Sequence, residues 1–119
     1  MATGARGEGV LVLEGEQHRV LFTLRALADA ERATGKTALQ LMAASTSGGL
    51  GVGDVAALLA VGLAAARREH LGGAGGHNLN DAWRLLDNLG FSAVAAVVVE
   101  AMTVVMTFQP AGESADPPA

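Results

Sequence analysis

Thr34-Gly35-Lys36-Thr37 is the stretch of this 119-residue chain that comes nearest to a chemical motif. It matches the end of a phosphate-binding P-loop, whose backbone N–H groups and lysine hold a nucleotide's phosphates. The full pattern needs an earlier glycine, and Ala30 stands at that position. The loop must also follow a strand, so that its N–H groups converge on the anion. Here the preceding residues have helical spacing, and Gly35 reads as a helix cap instead. His18, His70 and His77 form no i, i+4 pair, and the chain has no cysteine to join them. No metal site is expected from that spacing. Ser45-Thr46-Ser47 offers hydroxyls in what reads as a loop, but no G-x-S-x-G elbow surrounds them. The carboxylates are scattered, without a base and an orienter beside a nucleophile. These residues predict no catalytic site, no cofactor and no metal: a protein that is not an enzyme.

The wider composition narrows the partners. There are 8 basic and 12 acidic side chains, a net charge of −4 with histidines neutral. A binder of nucleic-acid backbones normally carries a basic patch, so no nucleic-acid partner is expected. The absence of cysteine excludes disulfide scaffolds and thiolate zinc sites, and fits a reducing cytoplasm. Hydrophobic residues make up 50% of the chain but aromatics only 3%, so the core must come largely from alanine and valine. The N-terminal apolar run, Val10 to Leu13, is too short for a signal-peptide core. Val55–Ala66 is too short to span a bilayer, which takes about 20 apolar residues. Phe91–Phe108 comes closer but is alanine-rich and carries Glu100 in mid-span. No membrane partner is expected.

The elements that would position these residues follow from periodicity. Val10–Leu13 and Val20–Thr23 are apolar, largely β-branched runs around the polar, glycine-containing Glu14–Arg19, the pattern of a β-hairpin. Thr23 stands where a helix N-cap belongs, before Leu24, Leu27, Ala28 and Glu31, with Gly35 as the stop. A short helix is predicted over Thr37–Ala44, then a loop over Ser45–Gly49. The stripe Val55, Leu58, Leu59 and Leu63 predicts a third helix from near Gly53 or Asp54, with Arg67 and Arg68 at its negative end. Gly72–Gly76 has neither the spacing nor the preceding strand of a dinucleotide-binding loop and reads as a flexible linker. Asn78 would cap a fourth helix presenting Leu79, Trp83, Leu86 and Leu89 on one face, ended by Gly90. Ser92 would cap the last helix, to about Phe108, although its valines also suit a strand. The fold class expected is α+β, mostly α: an N-terminal hairpin at 8–23 and about four to five helices over 24–108. One domain, 1–108, precedes a disordered tail at 109–119 that holds all 3 prolines.

The last segment is the least ordinary. Val94, Val97, Val98, Ala101, Met102, Val105 and Met106 share one broad face, while Val99, Val104 and Phe108 point elsewhere. A helix apolar nearly all round is either central in a core or covered by a partner. A chain of this length has little interior for it, which motivates an interaction role.

The order of pieces is similar to that of a known family. Gly7-Glu8-Gly9-Val10-Leu11-Val12-Leu13-Glu14-Gly15 is followed by Arg19-Val20-Leu21-Phe22-Thr23 and Ala26-Leu27-Ala28-Asp29-Ala30-Glu31. Gly35 comes next, then Leu39, Leu41 and Met42, a Gly/Leu loop and Val55-Ala56-Ala57-Leu58-Leu59. Over about Gly7–Phe108 this resembles the small tail-assembly proteins of gene transfer agents and siphophage-like tails. That family has been labelled both tail tube protein and tail assembly chaperone. The chain departs from it in its glycine-rich stretch before Asn78 and in a last helix richer in valine and methionine. The resemblance implies a non-enzymatic chaperone that keeps the long, helical tape-measure protein soluble until tube subunits polymerise around it. It implies a bacterial cytoplasm as the place of work, with tail tube subunits and a homo-oligomer as further candidate partners. The alternative is a structural tail tube or connector subunit. Leu86, Leu89, Val98, Met102, Val105 and Met106, on the last two helices, are the candidate client contacts.

Overall fold

The computed structural model describes residues 5–71 and 79–110. The linker expected at 72–76, the cap expected at Asn78 and the tail from 111 onward lie outside these residues. Within them the chain is a two-stranded antiparallel hairpin followed by five helices. The strands are β1 (Arg6–Leu13) and β2 (Glu16–Thr23); the helices are α1 (Leu24–Thr34), α2 (Ala38–Ser47), α3 (Val52–Leu71), α4 (Leu79–Leu89) and α5 (Phe91–Met106).

The connection between the strands is shorter than its polarity suggests. Only Glu14 and Gly15 turn, with φ of 54° and 82°, the double positive φ of a type I′ hairpin. Glu16 to Arg19 belong to the strand instead of the loop. They are polar because this part of the hairpin is largely open to water. The register Leu13↔Glu16 to Arg6↔Thr23 runs without a bulge. It puts Gly7, Gly9, Leu11 and Leu13 on the same face as Phe22, Val20, His18 and Glu16. That face meets the helices, with α5 mainly against β1 and α3 mainly against β2.

The P-loop look-alike is a junction between two helices. Gly35 adopts a left-handed conformation (φ 75°) and its N–H donates to the Glu31 carbonyl at 2.8 Å, ending α1. Thr37 then opens α2 with a capping box. Its hydroxyl accepts from the Gln40 N–H at 3.1 Å, and Gln40 Oε1 accepts from the Thr37 N–H at 2.8 Å. Lys36 pairs with Asp54 at 2.6 Å, near the start of α3. Thr23 caps α1 as expected, accepting from the Ala26 N–H at 3.1 Å.

Two helix boundaries differ from expectation. Ser45, Thr46 and Ser47 are the last turn of α2, where each hydroxyl donates to the carbonyl three residues back, and Gly48 then ends the helix in a left-handed conformation. Gly90, not Ser92, is the N-cap of α5, and Ser92 lies exposed inside that helix. The final segment is a helix throughout, not a strand.

The core gathers around α3. Val55, Leu58, Leu59 and Leu63 are all buried, together with Phe22, Leu41 and Leu85. The buried face of α4 is turned by one position. Ala82, Leu85 and Leu86 are inside while Trp83 remains 38% exposed. Both stripes have helical spacing, and the larger residue misled because α4 turns its small Ala82 inward.

Candidate functional site

The six residues expected to meet a client do not form an open face. Leu86, Val98, Met102 and Val105 are at most 6% exposed and belong to the core, and Leu89 and Met106 pack partly buried against it. The cause lies on β1. Gly7 and Gly9 have no side chain where α5 crosses the strand. A Cβ on Gly7 would stand 1.9 Å from the Ala101 carbonyl oxygen, and one on Gly9 would stand 2.6 Å from Val97 Cγ1. The helix backbone therefore rests on the strand, and its valine and methionine face is spent inside the molecule. Alternate glycines in a strand are a sequence signal for such close approach.

Apolar surface is open elsewhere. The end of α2 and its following loop form one wall of a groove of about 330 Å³, and the first turns of α5 form the other. Leu50, Phe91, Ala95, Ala96 and Val99 supply its apolar lining, with Ser45 and Ser92 beside them. No charged side chain lines it among the described residues. Glu100 follows directly on Val99 and is exposed, without an ion pair among the described residues. An uncharged trough beside one helix takes the apolar stripe of another helix, read at i, i+3 and i+4.

A second cleft, of about 600 Å³, lies between the outer side of the hairpin and α3. It is polar. The Arg6 guanidinium donates to both Glu69 carboxylate oxygens at 2.8 and 2.7 Å, and to Glu8 at 2.9 Å. These hydrogen bonds hold the Glu69 carboxyl below its usual pKa and keep Arg6 charged at any ordinary pH. With Arg6 bound on two sides, the cluster is a clamp between strand and helix. Among the described lining residues Arg19 is a cation without a described partner. His18 lies on the hairpin's inner face, its Nε2 buried without a hydrogen bond and 3.5 Å from Glu16.

Among the described residues, no group of three or more acidic or histidine side chains is placed to hold a metal, and no helix is long and apolar enough to cross a membrane. No family model, curated protein or solved structure matches this chain.

Proposed function

We propose that this protein is a non-enzymatic tail assembly chaperone that binds a helical tape-measure protein. It holds the client soluble in the bacterial cytoplasm until tail tube subunits take its place. The observation that carries this reading is the charge-free apolar groove between α2 and α5, open on a chain of net charge −4. A long amphipathic client needs its apolar stripe covered, and an acidic remainder keeps the complex in solution. Many weak contacts along one client hold it by avidity, which lets tube subunits displace the chaperone. The sequence resemblance of about Gly7–Phe108 to the tail-assembly family supports the same role. The client surface in this reading is Phe91, Ala95, Ala96 and Val99, in place of the buried methionines.

Co-expression with the tape-measure protein from the same gene cluster tests it. Soluble tape measure that co-elutes with this chain is expected. Ala96→Glu, which puts a charge into the groove at an exposed helical position, should abolish both while the far-ultraviolet circular dichroism stays unchanged. A tape measure whose solubility ignores this chain, with the chain retained in purified particles, would overturn the reading in favour of a structural tail subunit.

A further inference from the structure

The hairpin has a free side. In a two-residue hairpin the residues flanking the turn, here Leu13 and Glu16, exchange both backbone hydrogen bonds, and bonded pairs alternate from there. The N–H and C=O groups of Glu8, Val10 and Val12 therefore point away from β2. Among the described residues the sheet has two strands only, and none of these residues bonds to these groups. Proteins normally guard such an edge with charged side chains, proline, a bulge or a covering element. β1 has no proline and no bulge, and its charges, Arg6 and Glu8, stand in its first three residues, leaving Val10 and Val12 unguarded. Val10 and Val12 add side chains that are 44% and 53% exposed on the outer face.

We propose that β1 pairs antiparallel with β1 of a second copy, joining two hairpins into a four-stranded sheet. The occupant follows from the sequence of the strand itself. With Val10 facing Val10 of the other copy, Glu8 faces Val12 of that copy within the paired segment. The four valines then form one apolar cluster across the axis, and no like charges face each other in the ladder. Of the other registers that use the same free groups, one sets Glu8 against Glu8, which like-charge repulsion disfavours, one leaves Arg6 against Val12, and those that bring Val10 or Val12 onto Val12 pair fewer residues before the turn. The pairing is independent of the client role, since the groove lies on α2 and α5.

Sedimentation velocity of the full chain tests it first, with a dimer expected. The absence of native cysteine makes a second readout clean. Val10→Cys should give a covalent dimer rapidly with a short bismaleimide, and Leu39→Cys, at a position 70% exposed on α2, should not. Val10→Pro removes the edge donor without touching the hairpin ladder and should yield a monomer of unchanged circular dichroism. Val10→Arg, which changes only an exposed side chain, should do the same if the proline variant fails to fold. A monomeric wild type would overturn the proposal. So would a dimer that survives Val10→Arg and crosslinks no faster through position 10 than through position 39.

Discussion

Gly7 sets how near α5 comes to the sheet. Its missing side chain leaves room for the backbone of Ala101, which cannot swing aside as a side chain can. Gly7→Ala should therefore cost about 3 kcal/mol or more, at the upper end of the range for overpacking. Gly9→Ala should cost less, because the atoms it meets first are methyl groups of Val97 and Val20. Urea denaturation of both variants checks the order. Met102, 1% exposed, should cost about 2–5 kcal/mol on truncation to alanine, the range for buried methionine. Its replacement by glutamate should unfold the chain, not merely release a client. The reverse sign is expected at Glu14, whose φ of 54° is unusual for a side chain of its type. Glu14→Asn should raise stability by up to about 1 kcal/mol, seen as a higher melting temperature.

Among the elements, α2 depends most on its ends. Its capping box joins Thr37 and Gln40, and the Ala38 N–H is taken by Glu31 of α1 at 2.8 Å. Thr37→Ala should cost about 0.5–2 kcal/mol of stability, measured as a shift in urea midpoint at constant slope. Local chemistry of this kind was legible in the chain. Thr23, Gly35, the α3 stripe and the hairpin all stand where residue types and periodicity place them. What the sequence concealed was set by partners distant along it. Ser45, Thr46 and Ser47, which read as a loop, form the last turn of α2. Trp83 read as part of the apolar face of α4, which instead turns Ala82 inward. The valine and methionine face of α5 read equally as core or as partner surface because periodicity cannot say what covers a stripe. Its cover was written in Gly7 and Gly9, some ninety residues earlier. The groove was hidden for the same reason, since Leu50 and Val99 meet only in the folded chain.

Over the whole molecule, Arg6 and Glu69 link the first strand to the long central helix. The folded-state pKa of Glu69 lies below its unfolded value. Its contribution is therefore present above the ordinary carboxylate range and is lost as pH falls through that range toward the folded value. Glu69→Gln should flatten this part of the acid limb of the stability curve, read as urea midpoint against pH. The wild-type midpoint should stay level above that range and decline modestly below it. The seating of α5 on β1 also bears on how the protein is born. In the order of synthesis the hairpin precedes α5, so the β1 part of its inner surface stays uncovered until Ala101 and Val105 have been synthesised. The native core therefore closes only after α5 has followed the hairpin out of the ribosome. Until then the nascent hairpin shows bare inner surface as well as a free edge, so slow translation lengthens the interval in which neighbouring nascent chains on one message can aggregate.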